Sequence, residues 1–141
     1  MVDKIKTPKR KVDYTFASGK RRTATARARV FRGSGETMVN GMSVEKYFQG
    51  EISKDIWTKP FRVLDVTDKY FATIKVRGGG IKGQLDATAH AIAKAFSKLD
   101  REKFHRLLKK AGLLTRDSRI RQRRNVGMGG KARRAKQSPK R

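Results

Sequence analysis

The sequence predicts an α+β fold: a small antiparallel sheet backed on one face by two helices, with a long basic extension at each end. Three observations predict it. Residues 23–32 and 70–77 alternate apolar and polar side chains with period two, the pattern of half-buried strands. Residues 85–99 carry one apolar stripe, Leu85, Ala89, Ile92, Phe96 and Leu99, at the spacings of an amphipathic helix. The charge is concentrated at the ends. Of a formal net +25 over 141 residues, residues 1–29 hold +8 and residues 118–141 hold +10, leaving +7 on the long middle. The expected organisation is a flexible basic arm over 1–12, a globular domain over 13–117 and an extended basic tail over 118–141.

The elements follow in order. Pro8 and five Lys or Arg residues leave the first twelve residues nothing to nucleate structure. Residues 14–17 begin the first strand, and Ser18-Gly19-Lys20-Arg21-Arg22 reads as a turn. In the next strand Ala24, Ala26, Ala28 and Val30 share a face, with Thr23, Thr25, Arg27, Arg29 and Phe31 opposite. Alanines on the inner face imply close approach by a packed helix. Gly33-Ser34-Gly35-Glu36 reads as a hairpin loop, residues 37–39 as the short return strand and Asn40-Gly41 as another turn. Ser43 is placed to cap a short helix over 44–49 that buries Val44, Tyr47 and Phe48. Residues 50–62 contain packing candidates in Trp57 and Phe61, but Pro60 interrupts any regular element. In 70–77, Tyr70, Ala72, Ile74 and Val76 face in, and Phe71, Thr73, Lys75 and Arg77 face out. A glycine-rich link leads into the striped helix. Asp100 then caps a last helix over 101–111 with Phe104, Leu107 and Leu108 buried, Gly112 ends it, and Leu113 and Leu114 close the core.

A pI near 11.3 and ten cations without one acid over 118–141 call for a polyanionic partner. The tail has too little apolar surface to offset its own ordering entropy, so it orders only against that partner. A membrane is excluded as the partner: no apolar run approaches the roughly 20 residues of a spanning helix, and the arms lack an interfacial apolar face. Nucleic acid remains. The absence of cysteine removes disulfides, thiolate catalysis and thiolate metal sites. Residues 1–12 lack the apolar run of a secretory signal.

Catalytic and cofactor signals are weak. Gly78-x-Gly80-x-x-Gly83 satisfies a dinucleotide fingerprint, with Asp100 at the distance of a ribose-binding acid. The fingerprint needs a βαβ unit, and here a helix and then a tail follow. Gly78, Gly79, Gly80 and Gly83 therefore read as a tight strand-to-helix link whose free N–H groups can meet an anion, RNA phosphate included. His90 and His105 lie on different helices, Asp65 and Asp68 lack ligand spacing, and Ser18, Ser34 and Ser43 sit in turns or caps. No nucleophile–base pair is visible, so no enzyme, no metal and no cofactor is expected. The outward Arg27, Arg29 and Arg77, beside Lys20, Arg21 and Arg22, are candidate RNA contacts. Aromatics free to stack on bases are scarce, so recognition should rest on phosphate and shape.

Several short strings occur in order: Ser18-Gly19-Lys20-Arg21-Arg22-Thr23-Ala24 with Ala26-Arg27; Val39-Asn40-Gly41; Tyr47-Phe48; Val76-Arg77-Gly78-Gly79-Gly80 with Gly83-Gln84; Leu114-Thr115-Arg116-Asp117-Ser118-Arg119; and Lys131-Ala132-Arg133-Arg134. As an ordered set they closely resemble the small-subunit ribosomal protein S9 family, over about nine-tenths of the chain. The 114–119 string is of the bacterial or organellar type. The resemblance implies the fold of the second domain of ribosomal protein S5 and a place in the head of the small subunit, beside neighbouring head proteins. It implies contacts to small-subunit ribosomal RNA through the cations named above and through Arg116, Arg119, Arg121, Arg123, Arg124, Lys131, Arg133, Arg134 and Lys136. It implies, too, that the last two residues, Lys140 and Arg141, meet the anticodon stem-loop backbone of peptidyl-site tRNA, where an Arg fork can bind phosphate bidentately. The chain departs from the family's pattern in having Gln137-Ser138-Pro139, with no aromatic, before Lys140, and Val126 before the tail's middle glycine. The resemblance implies a cytoplasmic ribosome of bacterial type, with an organellar ribosome as the alternative. The rival readings are a free-standing basic RNA- or DNA-binding protein or chaperone, and a nucleotide-binding enzyme built on the glycine link.

Overall fold

The structure, a computed structural model, describes residues 13–126. In chain order it comprises β1 (Tyr14–Arg21), β2 (Ala24–Arg32), β3 (Met38–Val39), β4 (Met42–Ser43), α1 (Val44–Tyr47), α2 (Glu51–Leu64), β5 (Tyr70–Arg77), α3 (Ile81–Leu99) and α4 (Phe104–Lys110). The expected α+β class holds. The arm expected over 1–12 and the tail beyond residue 126 lie outside the described residues.

One sheet runs in the order β1-β2-β5-β3-β4. β1, β2 and β5 pair antiparallel, with Ala17 opposite Ala28 and Ala28 opposite Ile74. The inner row contains Ala17, Ala24, Ala26, Ala28, Val30, Ala72, Ile74 and Val76, all buried. The period-two reading of β2 and β5 is thus borne out residue by residue.

Two local expectations in this region are corrected. Residues 18–21 are not a turn; they continue β1, and the two-residue turn is Arg22-Thr23, with Arg22 at φ 52. Gly19 is required by packing: a Cβ there would lie 2.3 Å from the Ala87 carbonyl oxygen and 2.6 Å from the Ala91 nitrogen of α3. The return strand after residues 33–36 does not pair with β2. β5 is inserted between them, and β3 runs parallel to β5, with Met38 opposite Thr73 and Val39 opposite Ile74. The sheet is therefore antiparallel except for this pair. Asn40-Gly41 is the predicted tight turn, with φ of 49 and 83, and it joins β3 to β4. The Asn40 side chain mimics a strand residue: its Nδ2 donates to the Val76 carbonyl, and its Oδ1 accepts from the Val76 N–H.

The predicted helix is α3, and it is buried more widely than one stripe. Ala87, Ala91 and Ala95, four residues apart and fully buried, let it lie close on β1 and β2. Leu85, Ile92 and Phe96 are its larger buried side chains. The Phe96 ring is the hub, meeting Phe61 at 5.2 Å, Tyr70 at 5.5 Å and Phe104 at 6.1 Å in edge-to-face geometry. Full burial of each such side chain contributes about 1.5–3 kcal/mol.

α2 overturns the reading of residues 50–62 as interrupted. Ile56, Trp57, Pro60, Phe61 and Leu64 recur at helical spacing, and the Pro60 ring is itself fully buried. Proline removes one backbone hydrogen bond, and side chains stitch the turn before it: Thr58 Oγ1 donates to the Lys54 carbonyl at 2.6 Å, and Arg62 Nη2 donates to the Asp55 carbonyl at 3.1 Å. The helix stops at Asp65, in the left-handed region, with Val66 N–H bonded to the Phe61 carbonyl. α4 is shorter than the expected 101–111. Asp100 Oδ1 accepts from the Lys103 N–H, and Gly112 ends the helix as expected, with Leu113 N–H bonded to the Leu108 carbonyl. Leu108 and Phe104, one turn apart, point inward, so Leu107 is left half exposed, contrary to expectation. α1 is one turn long; Ser43 precedes it but makes no side-chain cap bond.

Candidate nucleic-acid interface

All four helices leave the outer face of the sheet open, and strand register sets out that face in four rows. They are Lys20–Thr25–Arg77, Ser18–Arg27–Lys75, Phe16–Arg29–Thr73 and Tyr14–Phe31–Phe71. No acidic side chain occurs in them. Lys20, Arg27, Arg29, Lys75 and Arg77 are exposed. The cationic end opens into a groove of about 620 Å³ lined by Thr25, Arg27, Asn40, Lys75, Arg77 and Gly78. Arg22 is exposed at the adjoining hairpin tip. Lys75 belongs with the predicted cations although it was not among the candidates; the alternation that places Arg77 outward places Lys75 outward too.

The aromatic end also differs from expectation. Tyr14, Phe31 and Phe71 pack along one row, with ring centroids 5.6 and 5.2 Å apart, and Gly35 sits against the Phe71 ring. The Arg29 guanidinium lies 5.1 Å from the Tyr14 ring centroid, a cation–π contact. Phe16 is 44% exposed beside them.

Arg21 does different work from its neighbours. Its side chain is only 12% exposed and lies on the inner side, toward α3. Its guanidinium reaches Asp117 at 3.2 Å, approaches Asp86 at 3.8 Å, and donates to the Arg119 carbonyl at 2.6 Å. Asp117 in turn accepts two-point hydrogen bonds from the Arg119 guanidinium at 3.0 and 2.8 Å and another from the Arg119 N–H. These bonds, with the Arg21 charge beside them, hold the Asp117 carboxyl well below the usual carboxylate range. The clamp thus joins two arginines to one carboxylate. It fixes where the chain leaves the domain, at the start of the cationic stretch. Arg119, the first cation of the tail, is thus bonded to the domain at its root.

A second pin lies behind the clamp. His90 Nε2–H donates to the Leu114 carbonyl at 3.2 Å. Burial pushes the imidazole's pKa down; the Leu114 bond opposes this, and Lys94 and Arg116 reinforce it. His105 Nδ1 meets Ser97 Oγ at 2.8 Å. Each histidine thus makes one hydrogen bond within the domain, while His90 Nδ1 is buried without a partner among the described residues. Arg116, Arg119, Arg121, Arg123 and Arg124 are exposed along the departing chain. Lys131, Arg133, Arg134, Lys136, Lys140 and Arg141 lie outside the described residues.

The glycine link is explained mostly by close approach. Gly78 and Gly79 have φ of 79 and 64, and a Cβ on Gly78 would lie 2.8 Å from the Thr23 carbonyl oxygen. Gly80 is the N-cap of α3, and Gly83 lies within the helix, not in the link. Gln84 ties the link down: its Nε2 donates to the Gly78 carbonyl while its Oε1 accepts from the Tyr47 hydroxyl. The helix that follows leads to α4, and among the described residues no return strand of the kind a dinucleotide fold requires follows it. Among the described residues no group of His, Cys, Asp or Glu is arranged to hold a metal ion, and no helix is long and apolar enough to cross a membrane.

The family profile described as Ribosomal protein S9/S16 matches residues 19–141. The chain is 42% identical over 125 residues to the small ribosomal subunit protein uS9 of Leifsonia xyli, covering 89% of this chain and 74% of that protein. It is 41% identical over 140 residues to the protein of the same name from Rickettsia felis, covering 97% of this chain and 86% of that one. A third relative of that name, from Cutibacterium acnes, is 41% identical over 125 residues, covering 89% of this chain and 72% of that protein. The quoted strings, the sheet that carries them and these likenesses agree, and the chain belongs to the ribosomal protein S9/S16 family.

Proposed function

We propose that the protein is a structural, non-enzymatic constituent of the small ribosomal subunit that binds ribosomal RNA and reaches the peptidyl-site tRNA. The observation that carries the reading is the open sheet face, with five exposed cations and no acid in its rows, continuous in charge with a chain exit that leads into ten cations. Such a surface takes phosphate. Lys20, Arg22, Arg27, Arg29, Lys75 and Arg77 dock the domain on RNA in the head of the subunit, beside neighbouring head proteins. Gly78 lines the same groove, and the first turn of α3 beyond it offers backbone N–H groups to an anion. Arg21, engaged by Asp117, Asp86 and the Arg119 carbonyl, positions the tail. Residues 119–136 follow RNA, and Lys140 and Arg141 touch the anticodon stem-loop backbone. The protein's place is the ribosome, of the bacterial type its relatives represent.

The test trims Lys140 and Arg141. Subunits carrying the trimmed chain should assemble normally and hold peptidyl-site tRNA about tenfold more weakly or worse, since each charge-assisted phosphate contact contributes about 1.5–3 kcal/mol and about 1.4 kcal/mol is a factor of ten. Unchanged tRNA affinity in fully assembled trimmed subunits would contradict the tRNA contact.

A further inference from the structure

We infer that the open sheet face holds an unpaired stretch of RNA, one base of which stacks on the ring of Phe16. The inference rests on the RNA-binding reading of the same face and specifies the kind of RNA it takes.

The Tyr14–Phe31–Phe71 row packs ring against ring, with Tyr14 itself 46% exposed at its end. Phe31 lies between its two neighbours, the Arg29 guanidinium lies near the Tyr14 ring, and Gly35 covers Phe71. Phe16 is outside that cluster and none of those contacts includes it. A single exposed phenylalanine is ordinary on a protein surface. The surroundings of this one are not. Across the strand it faces Arg29, the next row is Ser18, Arg27 and Lys75, and no acid stands in any of the four rows. An apolar protein partner would have to leave those cations unpaired, whereas a nucleotide supplies a π-face for the ring and a phosphate for its neighbours.

The edge of β1 is closed to strand addition beside Phe16. Lys98 Nζ donates to the Phe16 carbonyl at 3.2 Å and Lys94 Nζ donates to the Ser18 carbonyl at 3.0 Å. A partner must therefore lie on the face, and the same two lysines add positive charge to its rim. The groove at the cationic end continues the path away from Phe16 toward Arg27, Lys75 and Arg77. Duplex RNA hides its base faces and could use only the cations, so the ring singles out unpaired RNA.

The experiment measures binding of the full chain to a twelve-nucleotide oligouridine and to a twelve-base-pair RNA duplex across a salt series. Phe16→Leu keeps an apolar strand residue and removes the ring. It should weaken the single strand about tenfold, leave the duplex within twofold and leave both salt slopes unchanged. Equal loss on both probes, or no loss on either, would overturn the inference; the second result would leave the ring to a protein neighbour. A companion variant, Arg27→Gln with Lys75→Gln, should lower the salt slope on the single strand by about 1.4. If the companion lowers the slope while Phe16→Leu changes nothing, the stacking inference fails and the RNA reading of the face stands. If neither variant changes binding, the RNA reading of the face fails with it.

Discussion

Deleting residues 118–141 should reduce the log–log salt slope of RNA binding by about 7–9, at roughly 0.7–0.9 per phosphate neutralised. The segment holds ten Lys or Arg residues and no acid, so nothing within it competes with phosphate for those charges. Arg119 is the exception at the boundary, because Asp117 engages its guanidinium from the domain side. The measurement is binding of the full and shortened chains to a small-subunit RNA fragment across a salt series. A slope unmoved by the deletion would mean that the tail is not the main electrostatic contact. A proportionate fall would show that it is.

Gly19→Ala should destabilise the domain by about 3 kcal/mol or more, although it adds one methyl group. The new Cβ would meet the carbonyl oxygen of Ala87 and the nitrogen of Ala91, both backbone atoms of a helix packed along its length on β1 and β2. No rotamer change can relieve such a contact; strand and helix must separate, and the alanine faces that hold them together lose their fit. Urea unfolding would read the effect as a lowered midpoint at unchanged slope. A midpoint within error of the parent chain would show that the α3–β1 contact is looser than described. Control substitutions at Gly33 or Gly41, where a Cβ meets nothing, would report only the expense of a positive φ.

The same glycine shows how the sequence misleads. Ser18-Gly19 and the three cations after it have the composition of a turn, and composition cannot distinguish a glycine that bends the chain from one that admits a helix backbone. Pro60 misled in the opposite sense: a residue that usually ends helices is here a buried surface of one, and the apolar spacing from Ile56 to Leu64 was the better guide. The end of α2 at Asp65 carried no glycine to mark it. Strand insertion, with β5 between β2 and β3, has no local signal at all, because it depends on which edges remain unpaired once the long strands meet. By contrast, β2, β5 and α3 were legible because one face of each is buried, and burial imposes a period. The cationic face was legible for the same reason, which is why Arg27, Arg29 and Arg77 emerge together; Lys75 shares their alternation but was missed as a candidate. Arg21 was not legible as a clamp. Its partners Asp86 and Asp117 are distant in sequence, and only the fold brings the three together.

A protein of this family with this charge is expected to reside bound in the small ribosomal subunit. The most direct test is a sucrose-gradient profile of the tagged protein from native lysate, run with and without magnesium chelation and ribonuclease. Stoichiometric co-migration with the small subunit, lost on ribonuclease treatment, is the expected result. Soluble, free protein at the top of the untreated gradient would contradict it.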